Sequence, residues 1–218
     1  MSRDRQHVQP RFTLSQFSQC SVWVLFAAFF CSCLTACEDR PTALTVALEY
    51  SPTNTISNAW VLPPGQGKIC ILPIDDQRKG DKTKIGENLE DPSKPVPISS
   101  GLPAPADWLH DTLGDILHSN GLNVVSNADD ADFMLNVELT VLWVNEESDY
   151  NGQITMVIKV QDKNGRVLFT ATTSGQYELS GKSLNAGNYR QVLSNALYAA
   201  VNRLLSNQDF QRSLVVGH

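Results

Sequence analysis

The chain has 218 residues, with 17 Lys and Arg against 23 Asp and Glu and a net charge of −6. This acidic balance opposes nucleic-acid binding and electrostatic docking on anionic lipid. The length suits one well-buried domain beyond any export segment.

Arg3, Arg5 and Arg11 precede the short apolar run Val22-Trp23-Val24-Leu25-Phe26-Ala27-Ala28-Phe29-Phe30. A charged start, a short apolar core and a small-residue site make a secretory signal peptide. A spanning helix would need roughly 20 apolar residues. Leu34-Thr35-Ala36-Cys37 closes the segment as a lipobox. Residues 1–36 are therefore expected to be removed, leaving Cys37 as an acylated (palmitate-type) first residue. A start at Cys33 fits less well, because Phe30-Cys31-Ser32 puts a poor residue at the leucine position. Residues 1–36 hold three Arg and one Asp, so their removal takes the net charge from −6 to −8. Four of the five cysteines, Cys20, Cys31, Cys33 and Cys37, belong to this region. Cys70 alone is left for the folded part, which excludes a disulfide within one mature chain. Between Ile69 and Ile71 it reads as a buried, inert thiol.

Residues 37–67 read as a tether or N-terminal arm, rich in Pro, Thr, Ser, Asn and Gly. Within them, residues 43–50 alternate weakly as a first strand ended by Ser51-Pro52. A single domain is expected over residues 68–218. It begins with the apolar strand 68–73. From Asp75 to Pro105 periodicity is lost and breakers abound, so residues 79–105 read as a proline-rich loop insertion. Residues 106–120 form an amphipathic helix, with Trp108, Leu109, Leu113, Ile116 and Leu117 on one face and Gly121 as its C′ residue.

Three strands follow with a period of two. Phe133, Leu135, Val137, Leu139, Val141 and Trp143 are expected on one face of the first. Ile154, Met156, Ile158 and Val160 share a face of the second, and Val167, Phe169, Ala171 and Tyr177 a face of the third. Asn164-Gly165 predicts a type I′ hairpin turn between the last two. A helix over about 188–206 buries Val192, Leu193, Ala196, Leu197, Ala200, Val201 and Leu204, with Ala196 and Ala200 allowing close approach to the sheet. The expected class is α+β: two layers, a mainly antiparallel sheet, and two helices packed on one face.

Chemical signatures are sparse. Asp75-Asp76-Gln77-Arg78 lies at a strand end, where paired carboxylates could act in acid–base chemistry. No histidine or further acidic cluster lies near in sequence, so Asp75, Asp76 and Arg78 are read as a partner-binding or structural corner. His110 and His118 are too far apart on their helix for the usual zinc spacing. No G-x-S-x-G elbow is present. The expectation is no catalytic residue, no metal and no cofactor.

The lipobox, residues 48–52 (LEYSP), the strand ending in Asp75-Asp76-Gln77-Arg78, residues 113–125 (LGDILHSNGLNVV), Lys163-Asn164-Gly165 and residues 195–205 (NALYAAVNRLL) together resemble the YajG-like family of bacterial lipoproteins. The segment 79–105 departs from that family's pattern. The resemblance implies a non-enzymatic lipoprotein, lipid-anchored in the outer membrane and facing the periplasm, with no cofactor. Glu38 and Asp39 beside the lipid site leave inner-membrane retention as the alternative. The expected role is a periplasmic binding module with an envelope protein partner. The rival readings are an accessory lipoprotein of an envelope assembly or transport complex, and a small-molecule or lipid carrier.

Overall fold

The computed structural model describes residues 41–53 and 66–215. The signal segment and Cys37 lie outside them. Strands are β1 (Leu44–Val46), β2 (Lys68–Ile71), β3 (Asp75–Asp76), β4 (Lys84–Asn88), β5 (Val96–Ser100), β6 (Asn123–Val125), β7 (Phe133–Glu146), β8 (Asp149–Asp162) and β9 (Val167–Ser180). Helices are α1 (Pro105–Ser119), α2 (Ala186–Leu205) and the short α3 (Gln208–Ser213).

The long strand β7 organises the sheet. Along one side it pairs antiparallel with β8 over its whole length, from Phe133 opposite Asp162 to Glu146 opposite Tyr150. Along the other side β2, β3 and β4 follow one another, all parallel to β7. Beyond them β6 pairs parallel with β2, β5 antiparallel with β4, and β1 parallel with β5. The sheet is therefore mixed, not mainly antiparallel. Nor do two helices form one layer on one face. Helix α2 packs chiefly on β8 and β9, α1 beside β6, and α3 at β9.

Two local expectations fail for physical reasons. Residues 79–105 are not a loop: β4 and β5 form an antiparallel pair there. Ile85, Val96 and Ile98 are fully or nearly buried. Their strands are too short and too interrupted by Gly86 and Pro97 for periodicity to register. The bulge between Leu139 and Val141 is the second case. An extra residue in one strand reverses which face the following side chains meet. Leu142, Val144 and Glu146 therefore point inward, and Val141 and Trp143 take the other face.

The turn after β8 also differs in type. Gly165 has φ +78° and Asn164 does not share the positive region. The Gly165 amide donates to the Asp162 carbonyl at 2.9 Å. A three-residue loop with glycine in the left-handed position results, not a type I′ turn.

The helices match their sequence patterns closely. At the end of α1 the Leu122 amide donates to the Leu117 carbonyl at 3.1 Å, and Gly121 adopts φ +88°. Every expected apolar residue of α2 is buried. Ala196 and Ala200 do allow close approach: a Cβ placed on Gly175 of β9 would lie 1.9 Å from the Ala196 carbonyl oxygen. Thr173 donates to the Ala200 carbonyl at 2.7 Å across the same contact.

The N-terminal arm is anchored at least to Thr53. Beyond β1, the Ser51 amide donates to Ser194 Oγ at 3.0 Å and the Thr53 amide to Asn195 Oδ1 at 3.1 Å. Ser194 and Asn195 are buried polar residues of α2 that this arm satisfies.

Candidate functional site

The corner between β3 and β4 holds the three residues singled out from the sequence. After β2 the chain leaves β7 briefly and returns, with Asp75 and Asp76 opposite Glu138 and Leu139. The Gln77 amide then donates to the Leu139 carbonyl at 2.9 Å. This bond closes the β3–β7 pairing, and the chain runs on into the 78–84 loop.

Asp76 and Arg78 hold one another. Arg78 Nε donates to Asp76 Oδ1 at 2.9 Å and Nη2 to Oδ2 at 2.6 Å, a two-pronged pairing. Arg78 is only 8% exposed. Its Nη1 donates to the Lys84 carbonyl at 3.1 Å, and Nη2 also reaches the Lys82 carbonyl. The guanidinium therefore stitches both ends of the 78–84 loop to β3. Lys82 Nζ adds a bond to the Asp76 carbonyl at 2.7 Å. Burial pushes the Asp76 carboxyl up; the hydrogen bonds and charge of Arg78, with Lys82, outweigh it and hold the group below its ordinary range. Asp75 instead is exposed, its carboxylate accepting from Gln77 Nε2 at 2.6 Å.

Beside this corner lies a shallow cleft of about 350 Å³, bordered by Lys79, Lys84, Val141 and Trp143. The bulge in β7 places Val141 and Trp143 there. Lys84 Nζ sits 5.4 Å from the centre of the Trp143 ring.

A second polar constellation escaped the sequence reading. Glu146, at the inward end of β7, is fully buried. It accepts from the Ser183 and Leu184 amides at 2.8 and 2.9 Å and from Tyr189 Oη at 2.5 Å. Burial acts to raise its pKa, but these donors together with Asn88 bring it below the ordinary carboxylate value. Burial and the neighbouring Glu146 push Tyr189 far up. Tyr150 packs edge-on to Tyr189, ring centres 5.1 Å apart, and its hydroxyl lies 3.1 Å from Ser183 Oγ. The signal for Glu146 was its even-numbered position after the bulge, in line with Leu142 and Val144.

The remaining candidates are separate. His110 Nε2 lies 3.3 Å from the Ile71 carbonyl and Nδ1 lies 3.0 Å from Asp111. With His118 it borders a surface cleft of about 510 Å³. Among the described residues no group of three or more His, Cys, Asp and Glu is placed to hold a metal ion. Cys70 is buried, and burial raises its thiol pKa, the opposite of what activates a nucleophile. An open cleft of about 1180 Å³ lies between the start of β9 and α3, bordered by Phe133, Arg166, Phe169 and Arg212. No described helix is long and apolar enough to cross a membrane.

Comparison with solved structures fits this architecture. A Xanthomonas campestris protein of the DUF330 family matches with a TM-score of 0.52 at 16% identity, over 75% of this chain and 95% of the other. The fold is shared with that protein. The PelC dodecamer of Paraburkholderia phytofirmans (TM-score 0.40, 14% identity) matches over 62% of this chain and 89% of the other. A Caulobacter crescentus protein provisionally described as a lipoprotein (TM-score 0.39, 13% identity) matches over 49% and 80%. Those two likenesses are too low to support an argument. No family model and no curated protein matches the chain.

Proposed function

We propose that this protein is a lipid-anchored, non-enzymatic envelope lipoprotein that acts in the periplasm by binding an envelope protein partner. The observation that carries the proposal is the lipobox Leu34-Thr35-Ala36-Cys37 at the end of a short apolar run. A single acyl chain holds a protein only weakly at a membrane, so stable anchoring requires more than one on Cys37. The resemblance to the YajG-like lipoproteins favours the outer membrane, and the acidic Glu38 and Asp39 make the inner membrane the alternative.

The partner surface assigned by this reading is the β3–β4 corner. Asp76 and Arg78 brace it internally, and Asp75 faces outward. An accessory role on an assembly or transport complex is the form of this reading that uses one dominant partner. The carrier alternative is less favoured: the contact between Gly175 and Ala196 leaves no room for a ligand between α2 and β9 at that point.

The test is a photo-crosslinking residue at position 75 in growing cells, compared with one at exposed His118 on α1. One dominant adduct from position 75, absent from position 118, supports the reading. Equal capture at both positions, or none, removes the corner as the partner surface.

A further inference from the structure

Two large apolar side chains are left exposed among the described residues, and Leu102 is much the more open, at 89%. It occupies the turn 101–104 between β5 and α1. Both ends of that turn are fixed. The Gly101 amide donates to the Val46 carbonyl of β1 at 2.8 Å, and the Trp108 amide donates to the Ala104 carbonyl at 2.9 Å as α1 begins. Val46, Ile98 and Trp108, core residues of the three flanking elements, are buried. The backbone on either side of Leu102 is thus tied down while its side chain stays in the open. Its surroundings are uncharged. Residues 95–106 carry no Asp, Glu, Lys or Arg, and neither do residues 41–48. The two stretches lie side by side, because β1 pairs parallel with β5, Val46 opposite Ser100. β1 is an outer strand, and Ala43, Thr45 and Ala47 along it are exposed. A Cβ placed on Gly101 would lie 3.4 Å from Thr45 Cγ2, so this row abuts the turn. Charge returns on β4, where Lys84 stands opposite Ser99 and pairs with Glu87.

We propose that the turn 101–104 and the exposed edge of β1 dock on the lipid surface that holds Cys37, with Leu102 entering the boundary between headgroups and acyl chains. The proposal rests on the lipidation of Cys37 given above. The length of the tether selects the occupant. Val46 is only nine residues on from Cys37, at most about 32 Å of extended chain. A lipid on Cys37 therefore keeps β1, and the turn bonded to it, within reach of the bilayer. Charge points the same way. An acidic domain gains nothing from anionic headgroups, but a face without charged side chains approaches a bilayer with no charge to desolvate. An exposed apolar side chain within such a face is what insertion requires, and it adds a second hold to an acyl anchor.

The experiment uses the mature lipoprotein, extracted from membranes and returned to phosphatidylcholine vesicles that contain a lipid with a nitroxide near the carbonyl end of its acyl chain. A nitrobenzoxadiazole fluorophore is attached to Leu102→Cys or, for comparison, to His118→Cys, an exposed position on α1. Cys70 is buried and so is shielded from the label. The nitroxide should quench the fluorophore at position 102 several-fold more than at position 118. A second pair carries the fluorophore on exposed Ala104→Cys, with and without Leu102→Asp. The added charge should lower that quenching several-fold, while the melting temperature stays unchanged because Leu102 packs on nothing in the core. The intact mass of the same samples reads the anchor separately. An acylated chain quenched equally at positions 102 and 118 overturns the docking and leaves the anchor standing. Quenching at Ala104→Cys that survives Leu102→Asp also overturns it. An unacylated chain overturns the anchor, and the docking with it.

Discussion

Tyr189, in the first turn of α2, donates its hydroxyl to Glu146 at the end of β7, 2.5 Å away and 43 residues earlier in the chain. Among the described residues no cation pairs with this buried carboxylate; its charge is met by hydrogen-bond donors. Two backbone amides of the 183–184 segment complete the arrangement, so one side chain sets where α2 begins relative to the sheet.

Replacing Glu146 with Leu therefore strands the buried Tyr189 hydroxyl and takes the acceptor from the part-buried Leu184 amide, while the Ser183 amide keeps only Tyr150 Oη at 3.2 Å. The expected loss is about 3 kcal/mol of unfolding free energy. Glu146→Gln, which keeps an acceptor oxygen, should lose less. Urea denaturation of the purified protein measures both, and an Ile-like tolerance of Leu at this position would contradict the assigned role.

The same carboxylate contributes to pH dependence. Its folded-state pKa lies below the ordinary value of 4.5. The stability it supplies is thus fully present above that value and is lost as pH falls through the lower, folded pKa. Asp76 has the same sign. Melting temperature should fall as the pH drops below about 4.5, and the fall should be shallower in Glu146→Gln than in wild type.

At the β3–β4 corner, Arg78→Ala leaves the Asp76 carboxylate largely buried without its partner. Such a break costs about 3 kcal/mol. Arg78→Lys should recover little, because a lysine cannot make the two-pronged contact and also reach the Lys82 and Lys84 carbonyls. The 78–84 loop should then be cut by trypsin at Lys79 or Lys82 far faster than in wild type, before the rest of the domain. Unchanged cleavage would show that the pair does not hold the loop.

Gly175→Ala tests the fit of α2 on β9. Its new methyl meets backbone, the Ala196 carbonyl, and backbone cannot give way cheaply; about 3 kcal/mol should be lost. At Gly152 the added Cβ would lie 2.2 Å from a side-chain atom, Val192 Cγ1. A side chain can turn aside, so Gly152→Ala should cost less. Thermal melts of the two variants give the order, and a reversed order would mean that α2 shifts as a unit.

Much of this architecture was legible from periodicity. The apolar face of α2 and the inward residues of β8 lie where a helical and a two-residue repeat place them, because each meets one continuous partner surface. The pairing partners were not legible. Whether β2 lies parallel or antiparallel to β7 depends on contacts between residues 69 and 133, which leave no local mark. The β4–β5 pair was hidden for a similar reason: Ile85 and Ile98 are isolated apolar residues whose partners lie elsewhere in the chain. The bulge at Leu139–Val141 reversed the alternation at a Thr-Val pair that nothing local distinguishes. At the candidate site, Asp75, Asp76 and Arg78 were found as a cluster, but their division into one outward and two mutually bound residues follows from burial, and Glu146 became visible only with the bulge.

The central claim is that Cys37 carries the membrane anchor. Its most direct test is the intact mass of the protein extracted from density-separated membranes, beside a Cys37→Ala control. A chain beginning at Cys37 with acyl chains attached is expected in the outer-membrane fraction, with loss of both in the control. An unmodified, soluble periplasmic protein would contradict it.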